Sequence, residues 1–578
     1  MASKKAIEEI PLPKTAPIGI ISGKPLVYLP TKGEYIAKGA AGQVYGYHII
    51  RKRQGQQTDE KLAVKFTSIE DIKNVGALVR EIAFLHRLHH PNVLRLIDAA
   101  VYQDAIVIVT PRGLGSLVTA ISSIPTQAQK IGCMFDALCG LHYLHMNNII
   151  HSDVKPGNIL VYLDAPNQYR GVIADLGGSV DDRKCFGEET TSKERAFTIS
   201  YRPPEGYLGM QLTPANDIWS FGVTLFLILT NNMLFKFDIK DKKSGKAYAT
   251  IFAEQCNLLG EPNNTTWPGV EQTDGWSRWL SSKATALKRP EVVEFKKLGR
   301  LEDRIADRIT LALFKRILIM DPSKRSTARE LLHDPFFASY LKPTTIIVPE
   351  KTCEQLLFEI APKTHKHVLL EYPWIFEMLK STSVDLPGRA KYLAGQIAVG
   401  ISNNINKITS KTKPEIPPYD IVIFSLVIAL FILENNTTLR ILDLIRNIGL
   451  ENFTLLLAYL DLDTLTPTTP YDLSIAVLAS HTYPKKTHQL VGEALDLLTR
   501  YPIASYPPTT ISRTALLIAC TADKRKLLLH TITKAEVDDI VKLLVQFSDY
   551  LLQQKYLENL QNDFKNLWPT LKQIPLGL

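Results

Sequence analysis

The amino-acid sequence predicts an α+β unit of two lobes followed by an all-α domain. Residues 26–29, 35–47 and 62–66 are rich in β-branched and alternating apolar side chains, which favours strands in a first, small lobe. From residue 127 to about 340 the apolar residues recur with a helical period, which predicts a larger, mainly helical lobe. From about residue 366 onward only helical periodicity remains. A chain of 578 residues is long enough for several such units.

The small lobe is also predicted to contain one amphipathic helix, over residues 75–88. In the larger lobe, helices are predicted at 131–146, 217–229 and 308–319, with short strands around Ile159 and Ile173. No internal period of the solenoid kind is present, which argues against stacked repeats.

The second half begins after a break in the pattern, which predicts a linker over residues 342–365. Ten helices are then predicted, at 367–380, 388–404, 420–434, 439–448, 451–462, 471–481, 488–500, 511–523, 534–552 and 557–567. The resulting domain boundaries are an extension (1–33), the two-lobed unit (34–341), the linker (342–365) and two helical groups (366–465 and 466–578).

Composition excludes several classes of protein. Hydrophobic residues at 45% and charged residues at 22% are ordinary globular values, so neither a disordered nor a collagen-like chain fits. The six cysteines form no CxxC pair, which predicts a reducing, intracellular compartment, cytoplasmic or nuclear, and no structural zinc. The longest apolar run, residues 421–433, is too short to span a membrane, and the first residues carry no apolar signal segment. We therefore expect no membrane association.

The net charge of +9 lies almost entirely before residue 342, where positive residues exceed negative ones by eight. Such an excess suits an anionic ligand or an acidic partner. Nucleic acid is the less favoured partner, because no arginine-rich tract and no basic stripe with interleaved aromatic residues accompanies the charge.

A bend between two predicted strands has the sequence Ile-Ala-Lys-Gly-Ala-Ala-Gly-Gln-Val at residues 36–44. Gly39 and Gly42 allow backbone amides to approach an anion closely, although an ordinary turn would also explain two glycines. Lys65 lies in an apolar strand, where an unpaired ammonium group is costly, so an anionic partner is expected. Glu81, on the predicted helix, can supply that carboxylate or can be an ordinary exposed charge.

The most specific motif is His-Ser-Asp-Val-Lys-Pro-Gly-Asn at residues 151–158, followed by Asp-Leu-Gly at 175–177. Together with the glycine bend, Lys65 and Glu81, these segments resemble the ordered motif set of the protein kinases. The resemblance implies a two-lobed α+β protein kinase fold. It also implies an enzyme that transfers the γ-phosphoryl group of ATP to hydroxyl groups of proteins, with ATP and Mg²⁺ as cofactors.

The resemblance gives each matching residue an expected role. Asp153 would accept or orient the proton of the substrate hydroxyl, and Lys155 would offset charge on the transferring phosphoryl group. The residues implied in catalysis are Asp153, Lys155, Lys65 and Glu81. Those implied in nucleotide binding are Ala37, Gly39, Gly42, Val44, Ala63, Lys65, Val109 and Asn158. Mg²⁺ would be held by Asn158 and Asp175, because this ion accepts a few side-chain oxygens and completes its shell with water and phosphate.

Two details resemble a particular group of kinases. Lys155 two residues after Asp153, with Thr198 ahead of Tyr-Arg-Pro-Pro-Glu at 201–205, is the serine/threonine arrangement. Residues 77–82, Ala-Leu-Val-Arg-Glu-Ile, resemble the helix that cyclins grip in cyclin-dependent (CMGC) kinases. The expected function is therefore that of a serine/threonine kinase with protein substrates, in cell-cycle or transcription regulation.

Two structural expectations follow from the same resemblance. Glu205 and Arg325 should form a buried ion pair with a structural role. The arginine that usually precedes the catalytic aspartate, and binds a phosphate on the activation segment, is replaced by Ser152. Lys193 stands where cyclin-dependent kinases are phosphorylated, with Thr190, Thr191 and Ser192 beside it. We therefore expect activity without phosphorylation of this segment.

The second half resembles a cyclin at residues 451–473, which begin Glu-Asn-Phe and end Thr-Pro-Thr-Thr-Pro-Tyr-Asp-Leu, like the segment that joins two cyclin boxes. By this resemblance residues 366–465 and 466–578 are two boxes of five helices. They would act on the kinase in cis, or in trans as a dimer, as an activator or as a substrate recruiter. Cyclins usually carry a lysine where Leu433 stands. A generic helical interaction domain is the alternative, because helical periodicity is common.

Two other functions remain open. A catalytically weak kinase-fold scaffold with a helical protein-interaction domain is disfavoured by the complete motif set. A nucleic-acid factor that uses cyclin-like helices is disfavoured by the charge of only +1 after residue 341.

Overall fold

The computed structural model describes residues 16–22, 24–29, 33–39, 42–53, 56–68, 72–103, 105–181, 198–235, 245–340, 388–406, 416–433, 485–499 and 508–522, with positions 456, 539, 540 and 543. The two predicted lobes are present: strands dominate up to residue 111, and helices dominate from 117 to 340. Further helices of the second half are described after residue 387.

The small lobe is built on an antiparallel sheet of five strands. These are β1 (Glu34–Gly39), β2 (Gly42–Arg53), β3 (Gln56–Ser68), β4 (Asp98–Tyr102) and β5 (Ala105–Pro111). Their order across the sheet is β1-β2-β3-β5-β4, which makes β3 central. Because successive side chains of a strand point to opposite faces, Leu62 and Val64 are buried on one face of β3 while Ala63 and Lys65 lie on the other.

One predicted strand of this lobe is wrong. Residues 27–29 form a turn, not a strand. Leu26 and Leu29 are buried and pack against Leu62, Val64 and other residues on the outer face of the sheet. The apolar pattern at 26–29 therefore reflects a turn segment that covers the sheet.

The described residues of the large lobe form ten α-helices and five short strands. The helices are α2 (Leu117–Ala120), α3 (Gln127–Met146), α4 (Pro204–Leu208), α5 (Pro214–Thr230), α6 (Gly245–Leu259), α7 (Asp274–Ala286), α8 (Pro290–Lys297), α9 (Leu301–Arg304), α10 (Arg308–Ile317) and α11 (Ala328–Leu332). The strands are β6 (Gly115–Ser116), β7 (Ile149–Ile150), β8 (Ile159–Ala165), β9 (Gln168–Ile173) and β10 (Val180–Asp181). β6, β8 and β9 form one small sheet, and β7 pairs with β10.

The core of the large lobe is centred on α3 and α5, and both helices begin earlier than predicted. At the start of α3, Thr126 accepts a hydrogen bond from the backbone N–H of Gln129, and the side chain of Gln129 accepts one from the backbone N–H of Thr126. α5 begins at Pro214, whose fixed φ suits the first turn of a helix. These first turns are polar, so apolar periodicity alone does not reveal them.

Four helices of the second half are described: α12 (Gly388–Asn406), α13 (Pro418–Leu433), α14 (Lys485–Thr499) and α15 (Pro508–Ala522). They agree with the helices predicted at 388–404, 420–434, 488–500 and 511–523. The predictions at 367–380, 439–448, 471–481 and 557–567 lie outside the described residues, as does the linker. Within the described residues, no helix is both long and apolar enough to cross a membrane.

The helix predicted at 75–88 is α1 (Ile72–Arg87). It packs both against the small lobe and against helices of the second half. α12 and α13 pack against each other, and α13 packs against α1. A single apolar core joins α12 and α13 to the small lobe through Val75, Leu78, Val79, Ile82, Ala83, Ala99, Ile106 and Ile108. α12 and α13 thus cover a face of α1 that the two lobes leave open.

Candidate active site

The central strand β3 and helix α1 bring three charged side chains together. The ammonium nitrogen of Lys65 lies 2.7 Å from Oε2 of Glu81 and 3.8 Å from Oδ1 of Asp175. The side chain of Glu81 is almost fully buried, whereas that of Asp175 is 49% exposed. Asp175 is therefore the carboxylate of this group that a ligand can reach from solvent.

Burial and charge act in opposite directions on this group. Burial tends to lower the pKa of Lys65, but the carboxylates of Glu81 and Asp175 outweigh it, and the pKa is raised. Burial raises the pKa of Glu81, and the Lys65 ammonium opposes that effect. Lys65 therefore stays protonated at neutral pH and can attract phosphate oxygens.

A second cluster surrounds Asp153. Lys155 donates a hydrogen bond from Nζ to Oδ2 of Asp153 over 2.5 Å and another to Oγ1 of Thr198 over 2.9 Å. Thr198 in turn donates from its hydroxyl and its backbone N–H to Oδ1 of Asp153, over 2.9 and 3.1 Å. Asn158 donates from Nδ2 to the backbone oxygen of Asp153, 2.9 Å away. A hydroxyl-bearing substrate placed here would meet a carboxylate, an ammonium group and an amide.

The two clusters are joined through the backbone. The N–H of Ala174, next to Asp175, donates to the carbonyl of Asn158 over 2.9 Å. Asp175 itself adopts a left-handed conformation, with φ of 66°, which is uncommon for a residue other than glycine and is typical of functional sites. All six residues predicted for catalysis and metal binding thus lie in one connected site.

The donor set fits Mg²⁺. Because Asn158 uses its amide nitrogen toward Asp153, its side-chain oxygen is the atom left for a metal, and Asp175 adds a carboxylate. Hard oxygen donors that are few in number suit an ion that keeps water and substrate phosphate oxygens in its shell. Among the described residues there is no group of three or more His, Cys, Asp and Glu side chains with metal-binding geometry, so a cage made wholly of such ligands is not indicated there.

Asp217 of α5 is a functional residue that the sequence reasoning missed. Its buried carboxylate accepts hydrogen bonds from the backbone N–H groups of His151 and Ser152, each over 2.8 Å, and lies 2.9 Å from Nε2 of His145. It therefore fixes the backbone immediately before Asp153. A signal was present in the sequence, since Asp217 stands at the head of an otherwise apolar helix.

The glycine bend is described except for its tip, residues 40 and 41. Gly39 lies opposite Gly42, and Ala37 lies opposite Val44, so these four residues share the β1–β2 hairpin. Gly42 has φ of 146°, and a Cβ at this position would approach the backbone oxygen of Phe66 to 2.1 Å. Only glycine fits here.

Val109 is not part of the site, which corrects one prediction. It packs with Leu62 and Val64 in the core on the outer face of the sheet, away from Lys65. Residues directly opposite each other on antiparallel strands share a face, and Ala63 lies opposite Thr110. Thr110, which donates its hydroxyl to the backbone oxygen of Ala63 over 3.3 Å, therefore takes the place predicted for Val109.

The predicted structural ion pair is confirmed. Arg325 donates from two nitrogens to the two carboxylate oxygens of Glu205, over 2.5 and 2.6 Å, and both side chains are fully buried. Three further hydrogen bonds from Arg325 reach the backbone oxygens of Ala215, Ile319 and Met320. The pair joins α4 to the connection between α10 and α11.

The comparisons with known proteins agree with this geometry. A family profile described as "Protein kinase domain" matches residues 31–337, more than half of the 578-residue chain. The chain therefore belongs to the protein kinase family, whose cofactors are ATP and Mg²⁺. At the level of family, the predicted enzyme class and cofactors are confirmed.

Three curated relatives show which kinases the chain is similar to. Cyclin-dependent kinase C-2 of Arabidopsis thaliana is 27% identical over 331 residues, which cover 53% of this chain and 58% of the relative. Cyclin-dependent kinase 8 of Caenorhabditis elegans is 29% identical over 333 residues, 53% of this chain and 55% of the relative. Cyclin-dependent kinase 12 of the same organism is 28% identical over 330 residues, which cover 54% of this chain and 41% of the relative. The chain thus spans about half the length of these relatives, and the similarity supports a kinase of the cyclin-dependent type.

Proposed function

We propose that this chain is a catalytically active serine/threonine protein kinase of the cyclin-dependent type. The observation that carries the proposal is the assembled site. Lys65 is paired with Glu81 at 2.7 Å, and the Asp153–Lys155–Thr198 network is connected to Asp175 through the backbone. The substrates are proposed to be proteins, and the setting intracellular.

Each residue would act at a stated place. Asp153 is within 2.9 Å of the Thr198 hydroxyl, so a substrate hydroxyl that replaces this contact would donate its proton to the same carboxylate. Lys155 would neutralise charge on the oxygens of the transferring group, and Lys65 would orient the nucleotide phosphates. Asn158 and Asp175 would hold Mg²⁺, which when bound neutralises charge on the phosphates.

We further propose that the second half is a cyclin-like activator in cis. The support is the apolar core that α12 and α13 share with α1, the helix that carries Glu81. If α1 has an inward and an outward position, a domain that binds the inward one more tightly favours the Lys65–Glu81 pair. To shift the ratio of inward to outward α1 from 1:99 to 99:1, the second half must bind the inward position about 5.5 kcal/mol more tightly than the outward one. The covalent link presents this domain at an effective concentration of about a millimolar.

Leu433, which stands where cyclins usually carry a lysine, ends α13. The alternative functions predict different behaviour. A substrate recruiter would leave α1 unaffected, a generic helical interaction domain would bind an unrelated partner, and a dimer would make the same contact in trans. A weak kinase-fold scaffold would bind nucleotide without transferring phosphate.

Phosphate transfer tests the proposal directly. The purified full chain is incubated with radiolabelled ATP, Mg²⁺ and a generic basic protein, beside the Asp153→Asn variant as the control. We expect label on serine and threonine of the basic protein with the wild-type chain only. Nucleotide binding without transfer by the wild-type chain would favour the scaffold and overturn the proposed activity. A parallel filter-binding assay at two salt concentrations would reveal nucleic-acid binding by its steep salt dependence.

A further inference from the structure

We propose that a hairpin ahead of β1, made of residues 17–22 and 24–26, forms part of the surface on which α12 and α13 dock. The second half of the chain would then be held on the small lobe by two elements, α1 and this N-terminal hairpin. The inference goes beyond the proposed function, because it concerns how the second half is attached. It holds whether that half activates the kinase or recruits substrates.

Backbone hydrogen bonds fold the N-terminal hairpin back on itself. The N–H of Gly19 donates to the carbonyl of Lys24 over 2.9 Å, and the N–H of Leu26 donates to the carbonyl of Pro17 over 2.8 Å. An isolated bridge pairs the same two arms in antiparallel fashion. The hairpin is thus a defined element within a segment that the sequence indicated only as an extension over residues 1–33.

The turn of the N-terminal hairpin is fixed to the edge strand β4. The backbone N–H of Ile20 donates to the carbonyl of Ala99 over 2.7 Å. The backbone N–H of Ile21 donates to Oδ1 of Asp98 over 3.0 Å. β4 lies at one edge of the five-stranded sheet, and an edge strand presents backbone groups that have no neighbouring strand to pair with. The hairpin therefore covers part of this edge.

Asp98 makes the attachment specific. Its carboxylate is 2% exposed and accepts hydrogen bonds from the backbone N–H groups of Ile21 and Ala99. A buried carboxylate is costly unless it is hydrogen-bonded, so loss of the hairpin would remove a donor that this burial requires. Gly19 lies against the same group, since a Cβ there would be 2.2 Å from Oδ2 and 2.6 Å from Cγ of Asp98. Only glycine leaves room for the carboxylate.

The turn of the hairpin also reaches the core that the small lobe shares with the second half. Ile20 packs against the apolar core in which α12 and α13 meet α1, and Ile416, just ahead of α13, packs against the same core. Ile18, two residues before Ile20, is 56% exposed. The hairpin therefore adds apolar surface to the shared core from a position that is fixed through β4 rather than through α1.

The test compares hydrogen exchange of α12 and α13 with that of β3 and β5, measured by mass spectrometry on the full chain. Ile20→Ser removes the apolar contact with the shared core, and Gly19→Ala forces the hairpin away from Asp98. Ile18→Ser is the matched control, because it makes the same change at an exposed position two residues away. Val109→Ala is the second control, since it weakens the sheet from the separate core on its outer face.

We expect Ile20→Ser and Gly19→Ala to raise the exchange rates of α12 and α13 at least tenfold and those of β3 and β5 less than twofold. The reason is that the two helices lose a docking partner while the sheet stays folded. Ile18→Ser should exchange like wild type. Val109→Ala should affect β3 and β5 at least as much as α12 and α13.

Wild-type exchange of α12 and α13 in Ile20→Ser would overturn the inference. A rise of equal size in the helices and the strands would overturn it too, because that pattern indicates a general loss of stability in the small lobe. If Gly19→Ala does not fold, Ile20→Ser decides by the same criterion. The measurement uses no phosphate transfer, so failure of the inference leaves the proposed kinase activity standing, and an inactive chain would contradict only that activity.

Discussion

Asp153 and Asp175 lie in different halves of the site, so their loss should affect different steps. Asp153→Asn removes the proton acceptor but keeps the hydrogen-bonding shape, and a positioned acid or base typically contributes about 10² to 10⁴ in rate. We expect kcat to fall by at least about a hundredfold for Asp153→Asn, with ATP binding retained. Steady-state kinetics and nucleotide titration check this. Near-wild-type turnover would refute the role.

Asp175→Asn should also abolish transfer, but by weakening the Mg²⁺-dependent binding of nucleotide, because it removes the more exposed carboxylate near Lys65. Both variants should unfold at the wild-type temperature, since neither carboxylate lies in an apolar core. Calorimetry of the two variants provides the control. A large drop in unfolding temperature would make the loss of activity uninformative about chemistry.

Val109 and Thr110 test the corrected edge of the nucleotide site. Val109→Ala removes two buried methyl groups on the outer face of the sheet, which should cost about 2 kcal/mol of unfolding free energy and leave the KM for ATP within about twofold. Thr110→Met adds bulk opposite Ala63 and should raise the KM for ATP. Denaturant unfolding and kinetics of both variants separate the two faces. A raised KM for ATP in Val109→Ala, with an unchanged KM in Thr110→Met, would show that Val109 and not Thr110 lines the nucleotide site.

These two positions also show why the sequence could not complete the site. Residues 105–109 of β5 form an unbroken apolar run that is buried on both faces, so composition does not say which residues of the strand face Lys65. The register with β3 decides that, and register is a property of the folded sheet. Lys65, Glu81, Asp153, Asn158 and Asp175 were predictable because their order along the chain is itself specific.

At the scale of elements, the activation segment is expected to work without phosphate. Ser152 stands in place of the phosphate-binding arginine, and Asp217 already fixes the backbone before Asp153. Phosphatase treatment of the full chain should therefore change kcat by less than about twofold. A fall of tenfold or more, about 1.4 kcal/mol in the barrier, would contradict the expectation. A phosphorylated peptide treated in parallel verifies that the phosphatase is active.

Helices were predicted well where an apolar face is long and less well at their ends. The predicted helix at 131–146 begins at Gln127 in the structure, because Thr126 and Gln129 cap it with polar groups. The contact between α1 and α13 could be suggested only by resemblance, since apolar periodicity identifies a buried face but not the element that covers it.

At the scale of the whole molecule, truncation after Leu341 tests the proposed activation. The truncated kinase should lose at least tenfold in turnover, because α1 loses the helices that share its core. Adding residues 342–578 in trans at high concentration should restore part of the activity. Circular dichroism establishes that the shortened chain is folded. Full activity after truncation would assign the second half another task, such as substrate recruitment.

Because α1 lies in one core with helices that are more than 300 residues further along the chain, the small lobe should not unfold independently of them. Amide hydrogens of Ile72–Arg87, Gly388–Asn406 and Pro418–Leu433 are expected to exchange with solvent deuterium as one cooperative unit. Hydrogen exchange followed by mass spectrometry measures this, and independent exchange of α1 would contradict it. Segments that lie more than 300 residues apart in the sequence would then share one opening free energy, so that a destabilising substitution in α13 also destabilises α1.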